Sequence, residues 1–404
     1  MIDIRTVDEL DLSGARVFYR VDYNVPLDGT RISDATRIEE TLPTIHLMRE
    51  RGASLVIGSH LGRPKGQRNE KYSLAPVREK LAELLGIDVD FASDCIGAEA
   101  EEKASRLQPG QLLLLENLRF HAEEEKNDRT FAEQLRRLAD FYVNDAFGAC
   151  HRAHASIVAF PELLPHDRIA GGLLLSRELE FLQKVTNASA RPFVALLGGA
   201  KIAGKIEPLE ALVTLADTVL IGGGMANTFL AAKGTAMGGS LVDHDSMEVA
   251  QRITGGHSRA EIVLPVDMIV ADSFDAPSKI ETVETSAGLT EAQKAFDIGP
   301  KTVERYASIL KSAQTIFWNG PMGVFEKEQF AKGTMAMAHA IADADAITVV
   351  GGGESVEAVK ASGYADRISH ISTGGGASLE FISGAALPGV EVLRKDRNGS
   401  GNRS

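Results

Sequence analysis

Short Val/Ile/Leu-rich runs alternate with stretches of helical spacing along this whole chain, and nearly every run ends on charged or polar side chains or on glycine. That alternation is the pattern of parallel strands joined by crossover helices. In the first half the runs are 16–21, 54–57, 112–115 and 141–143. In the second half they are 193–197, 218–221, 262–264, 315–318, 347–350 and 368–371. A chain of 404 residues is too long for one ordinary core, so the expected fold is α/β in two domains. Open parallel sheets bind ligands at the carboxyl ends of their strands. The residues just after each run are therefore the ones to read for function.

In the first half they are cationic or polar. Asp22, Tyr23 and Asn24 follow the first run, with Arg37 shortly beyond. SHLGRPKG follows the second and supplies His60, Leu61, Gly62, Arg63 and Lys65. ENLRF follows the third with Arg119, and NDAFGACHRAHAS follows the fourth with His151, Arg152 and His154. An arginine fork binds carboxylate or phosphate through two parallel hydrogen bonds. A lone surface arginine is usually just solvated, but arginines placed after successive strands share one rim. They point to a small, doubly charged organic anion. CHRAH lacks regular metal-ligand spacing, so its histidines read as neutral hydrogen-bonding groups.

In the second half the residues after the strands are glycines: 198–199, 222–224, 351–353 and 374–376. Glycine-lined turns let a ligand approach the backbone and leave N–H groups for phosphate oxygens. The stretch LLGGAKIAGKI, 196–206, adds Lys201 and Lys205, expected on one face of the first turn of a helix. Residues 199–205 match the GxxxxGK phosphate-loop pattern, but Ile206 stands where that pattern needs a hydroxyl for magnesium. The stretch says phosphate more than it says P-loop NTPase. None of the glycine runs fits GxGxxG. Between the halves, 169–186 shows leucines at helical spacing and reads as a single connecting helix.

Composition narrows the classes. Hydrophobic content is 44% and charged content 25%, which is ordinary for a globular protein. A net charge of −13 disfavours nucleic acid and anionic membrane as partners. The 2 cysteines, Cys95 and Cys150, lack CxxC spacing, which speaks against a disulfide framework or structural zinc and fits a reducing cytoplasm. The charged N-terminus shows no signal-peptide pattern, and no apolar run is long enough to span a bilayer. The last residues, 394–404, read as a polar, frayed tail.

The segments VFYRVDYNVPL (17–27), GSHLGRP (58–64), ENLRF (116–120), NDAFGACHRAHAS (144–156), RPFVALLGGAK (191–201), WNGPMGVFE (318–326) and SHISTGGGASLE (369–380) closely resemble the phosphoglycerate kinase family. They run in the family's order over nearly the whole chain. The resemblance implies two doubly wound parallel-sheet (Rossmann-like) domains joined by a helix and a hinge. It divides the chain into an N-terminal 3-phosphoglycerate domain at 1–170 and a linking helix at 171–190. A nucleotide domain follows at 191–377, and the segment 378–404 returns to the first domain. It implies reversible phosphoryl transfer between 1,3-bisphosphoglycerate and ADP, giving 3-phosphoglycerate and ATP, with Mg²⁺ entering as MgADP or MgATP. The substrate site it implies comprises Asp22, Tyr23, Asn24, Arg37, His60, Leu61, Gly62, Arg63, Arg119 and Arg152. The nucleotide site comprises Lys201, Lys205, Asn319, Pro321, Val324, Glu326, Gly352, Gly353, Glu354 and Ser355. Arg37, Lys201 and Lys205 are the implied catalytic residues and Glu354 the candidate metal contact.

Two positions depart from the family's usual pattern: Glu354 stands where Asp is usual, and Gly204 where Asp is frequent. The longer Glu354 carboxylate is expected to change the Mg²⁺ geometry, with Gly204 making room for it. The competing readings are a P-loop-type NTPase and a non-catalytic or slow relative with the kinase fold. A monomer is the expected state, since one chain carries both half-sites.

Overall fold

The computed structural model describes residues 2–256 and 258–396. Its contacts form two compact units. One comprises residues up to Leu179 together with those from Ala386 onward, and the other is Glu180–Ala385.

The first unit is built on a sheet of parallel strands: β1 (Arg16–Arg20), β2 (Ser54–Gly58), β3 (Asp90–Ala92), β4 (Leu112–Leu115), β5 (Phe141–Asn144) and β6 (Ile169–Gly171), in spatial order β3-β4-β2-β1-β5-β6. The central strands are buried end to end because their runs are apolar without alternation, as in SLVIG and LLLL. Such runs suit a sheet covered on both faces. One face packs Val17, Tyr19, Leu55 and Ile57 against Ile45, Met48, Val77 and Leu81. On the other, the Phe18 and Phe160 rings meet edge-on at 4.8 Å. Strand order reverses beside β1, so the crevice of a doubly wound sheet lies at the ends of β1 and its neighbours.

The sequence places a helix from 169, whereas Ile169–Gly171 is a strand paired with β5. The helix, α1, runs Leu173–Asn187. Its first turn is met by Asp145, whose Oδ1 accepts from Leu175 N at 2.8 Å while Tyr19 and Thr44 hydroxyls donate to Oδ2. A Cβ on Gly172 would lie 2.2 Å from that carboxylate, so glycine is required there. The expected frayed tail is also partly tied. Lys395 donates its N–H to Asp3 O at 3.0 Å, and its Nζ lies 3.0 Å from Glu9. The rest of that expectation, 397–404, lies outside the described residues.

The second unit holds β7 (Phe193–Leu197), β8 (Thr218–Ile221), β9 (Glu261–Val263), β10 (Asp267–Ala271), β11 (Ile280–Glu284), β12 (Lys294–Ile298), β13 (Thr315–Asn319), β14 (Ile347–Gly351) and β15 (His370–Ile371). Its main parallel sheet has the order β9-β8-β7-β13-β14-β15. The antiparallel sheet β11-β10-β12 was not expected from the sequence. Its outer strand β11, IETVE, is nowhere fully buried and lacks a long apolar run. Helices α2 (Ile206–Leu215), α3 (Gly223–Ala232), α4 (Gly353–Ser362) and α5 (Gly376–Ile382) begin just beyond strand ends. Because α5 packs on α2, the chain stays with this unit through Ala385, beyond the boundary drawn at 377.

Candidate functional site

The ends of β1 and β2 bring the first set of residues together. Arg37 Nη1 donates to Asp22 Oδ2 at 2.7 Å, and His60 Nε2 lies 3.8 Å from Asp22 Oδ1. Burial alone would raise the Asp22 carboxyl, but the charges of Arg37 and Arg20 outweigh it and hold Asp22 below the usual range. Burial drives His60 well below its ordinary value against the pull of Asp22, so its imidazole is neutral. Asn24 Oδ1 accepts from Gly62 N at 2.8 Å, and Asn117 Nδ2 donates to Leu61 O at 2.8 Å, which fixes the SHLGRP loop. Leu61 itself is buried and serves the site through that backbone.

Arg119 is 6% exposed, an unusual place for a guanidinium. Its Nη1 donates to Gly62 O at 2.9 Å, while its buried Nε has no hydrogen-bond partner. Glu125 Oε1 stands 3.6 Å from that Nε. Burial, then the Arg20 charge, lowers Arg119 to about 10, so it stays cationic at neutral pH. Arg152 is exposed, and its charge is felt by both Arg119 and His154. His154 is lowered to about 3, by burial first and Arg119 next. Arg63 is exposed beside Gly62.

Tyr23 does not join this group through its side chain. The ring is buried, its hydroxyl is 2.8 Å from Thr41 Oγ1, and its N–H donates to Ser59 Oγ. A residue that sequence reasoning missed is Arg20, fully buried inside β1. It donates from Nε to Ser156 Oγ at 2.7 Å and lies 3.4 Å from His60 Nδ1 and 3.8 Å from Glu124. A charged residue within an otherwise apolar strand run was the available signal.

In the second unit the glycine loops interlock. Gly198 N donates to Asn319 O, Gly199 N to Pro321 O and Gly223 N to Met322 O, each at 2.9 Å. A Cβ on Gly198 would lie 2.1 Å from Pro321 O, and one on Gly224 2.4 Å from Ala200 O. These glycines therefore serve backbone packing first. Gly353, Gly375 and Gly376 differ: nothing lies within 4 Å of a Cβ built on them, and Gly353 and Gly376 open helices α4 and α5. The open space at α4 and α5 suits an anion at unpaired backbone N–H groups.

The lysines do not share a helical face. Helix α2 starts at Ile206, so Lys201 and Lys205 sit in the loop before it, with Gly204 at φ +80° between them. Lys201 is exposed. Its loop is braced by Asp243, which accepts from Ala203 N at 3.0 Å. Lys205 Nζ donates to Gly198 O at 3.1 Å. Burial lowers Lys205, and the Glu354 charge opposes that. Asn319 and Ser355 are buried braces: Asn319 Nδ2 donates to Gly351 O at 2.7 Å and Ser355 Oγ accepts from Gly320 N at 2.5 Å. The bend at Gly352, with φ +90°, packs against the Asn319 amide.

Beside these loops lies a cleft of about 620 Å³. Pro321, Val324, Glu326 and Glu354 line it, as do Gly199 and Gly223. Sequence reasoning missed Leu241, Phe274, Phe296 and Asp297, which complete its walls. Leu241 and Phe274 are exposed apolar side chains at 49% and 39%, suited to cover a flat ring. Burial raises Asp297 to about 7, although Gly333 N and Ile298 N donate to it. Glu354 is exposed, and its charge acts on Lys205. One carboxylate beside phosphate oxygens is the usual protein share of a Mg²⁺ site, so this donor set fits that ion. Gly204 has φ +80°, and nothing lies within 4 Å of its Cβ position.

A family model described as phosphoglycerate kinase matches residues 7–385. The phosphoglycerate kinase of Moorella thermoacetica is 52% identical over 390 residues, covering 96% of this chain and 98% of that protein. That of Koribacter versatilis is 51% identical over 398 residues, with 96% and 98% covered. Among solved structures, the phosphoglycerate kinase from Coxiella burnetii superposes with a TM-score of 0.87 at 37% identity, covering 97% of this chain and 99% of that one. The enzyme from Pyrococcus horikoshii gives 0.85 at 35%, with 96% and 98% covered.

Proposed function

Because this chain belongs to the phosphoglycerate kinase family, we propose that the basic rim of its first unit holds the glycerate and the cleft of its second holds the nucleotide. Its activity is reversible phosphoryl transfer between 1,3-bisphosphoglycerate and ADP, giving 3-phosphoglycerate and ATP, with a carboxyl group as acceptor in the reverse direction. The observation that supports the glycerate placement is Arg119, a buried cation with an unspent Nε donor whose charge acts on His60.

The 3-phosphoglycerate carboxylate is ionised at neutral pH, so attack needs no general base. The remaining demand is positioning and charge neutralisation on the transferring group. Arg63, Arg119 and Arg152 hold the non-reacting phosphate, with Asp22 and Asn24 on the hydroxyl and carboxyl. Arg37, pre-oriented by Asp22, and Lys201 neutralise the transferring oxygens. Lys205 holds a nucleotide phosphate, and the backbone at Gly353 and Gly375 adds N–H donors. Tyr23, Asn319 and Ser355 shape the site through their bonds to Thr41, Ser59 and neighbouring backbone. Glu354 would hold Mg²⁺, which spreads the charge of the nucleotide phosphates when bound. Hinge closure with both ligands bound brings the halves together and excludes water. A cytoplasmic monomer suffices. Among the described residues no helix is long and apolar enough to cross a membrane.

A coupled assay tests this reading. ATP should form from 1,3-bisphosphoglycerate and ADP, and ATP should not be hydrolysed without 3-phosphoglycerate. Hydrolysis without glycerate would favour the P-loop alternative, and no transfer at all the non-catalytic one.

A further inference from the structure

Asp94 and Cys95 lie in the turn after β3, and His121 follows the short helical turn Leu118–Phe120 that carries Arg119. Among the described residues this is where metal-ligating side chains gather: one ligand atom from each lies within 4.8 Å of the others. We propose that Asp94, Cys95 and His121 form a site for a zinc-class divalent cation, separate from both ligand half-sites.

Ligand chemistry selects the ion. Thiolate and imidazole are the donors of zinc and its softer neighbours, whereas magnesium and calcium take oxygen ligands. Bonds of about 2.3 Å to sulfur and about 2.0–2.2 Å to nitrogen and oxygen set tetrahedral ligand spacings of about 3.3–3.8 Å. A group already gathered within 4.8 Å reaches that spacing by small side-chain rotations. Three protein ligands leave the fourth position to water.

The thiol of Cys95 is buried, while the Asp94 and His121 side chains are 48% and 25% exposed, so the ion has an approach from solvent. His121 Nε2 is 2.7 Å from Asp94 Oδ1, and the ring lies against Phe131 at 5.3 Å between centroids. These contacts hold the imidazole at the carboxylate before an ion arrives. On binding, sulfur exchanges its proton for the metal. The proton between Asp94 and His121 also leaves or moves to the other ring nitrogen, and any released proton goes to water. The site ties the turn after β3 to the residue two places beyond Arg119. Occupancy therefore fixes the far end of the segment bearing that arginine.

The test uses the full chain in chelator-treated buffer with Co²⁺ alone as the probe. A near-ultraviolet thiolate-to-cobalt absorption should saturate at one equivalent, disappear on adding Zn²⁺ and survive millimolar Mg²⁺. Cys95→Ser should abolish the band. His121→Gln and Asp94→Asn should each weaken Co²⁺ binding by about tenfold or more while circular dichroism stays native. His121→Gln keeps the test alive if Cys95→Ser does not fold. No band, a band that persists in Cys95→Ser, or unchanged affinity in His121→Gln would overturn the proposal.

Discussion

The two candidate half-sites are built from different materials. The first unit uses side chains: Asp22, Arg37, His60 and buried Arg20 form a connected set of charges and hydrogen bonds, and Arg119 donates to the Gly62 carbonyl. The second unit uses backbone and space: interlocked glycine loops, open helix starts at Gly353 and Gly376, and apolar walls from Leu241 and Phe274. On the proposed assignment, the difference follows from what each unit would recognise. A small, highly charged glycerate offers only charge and hydroxyls, whereas a nucleotide adds a flat ring that apolar walls can cover. Substitutions should consequently fail differently in the two units.

The largest effect is expected at Arg37, where the charge matters most as the phosphoryl group transfers. Arg37→Ala should lower kcat by about 10²–10⁴-fold with a much smaller change in 3-phosphoglycerate affinity. Steady-state kinetics beside equilibrium binding will show this, and a few-fold loss of kcat would break the side-chain half of the comparison.

Next come the glycines, which divide into packed and open. Gly198→Ala puts a methyl 2.1 Å from Pro321 O and should destabilise the protein by about 1–3 kcal/mol, read as a fall in Tm. Gly353→Ala meets nothing within 4 Å and lies in a helix, so Tm should hold or rise slightly. MgADP affinity should nonetheless fall if, as proposed, the open space takes the nucleotide. Unchanged affinity in Gly353→Ala would return that glycine to ordinary turn geometry.

A smaller effect concerns Asp297 in the cleft wall, raised by burial from 3.8 to about 7. Between those values the folded state keeps a proton that the unfolded chain has lost. Stability should thus fall as pH rises through that window. Asp297→Asn should flatten the decline in denaturant titrations at several pH values. The same slope in the variant would show that the carboxyl does not titrate there.

The smallest effect is at Glu354. Glu354→Asp should raise the Mg²⁺ concentration for half-maximal rate by a few-fold, since the shorter carboxylate reaches less far. A rescue by Gly204→Asp is not expected, because Gly204 has φ +80°, where a side chain is strained. An unchanged Mg²⁺ dependence in Glu354→Asp would place that side chain outside the metal's reach.

Much of this was legible in the sequence. Uninterrupted apolar runs located most strands of the two parallel sheets, because burial on both faces leaves an unmixed signal. The rim arginines were legible because strand ends are where such sheets bind. The antiparallel strands 267–298 were not, since β11 is half exposed and its apolar residues are spread out. Asn319 and Ser355 looked like ligand contacts by position alone, yet each also braces neighbouring backbone through a hydrogen bond. The triple glycines looked alike in sequence. Only the neighbouring backbone separates Gly223, which has no room for a side chain, from Gly353, which has ample room.

The central claim is that each ligand's affinity depends on residues of one unit. Calorimetric titration of the double variant Arg63→Ala with Arg152→Ala tests it most directly, because both side chains are exposed and their loss should spare the fold. Each lost charged contact costs about 1.5–3 kcal/mol, so with two removed 3-phosphoglycerate affinity should drop by about a hundredfold or more. MgADP affinity should remain that of the parent protein. Equal losses for both ligands, or retained 3-phosphoglycerate affinity, would contradict the account.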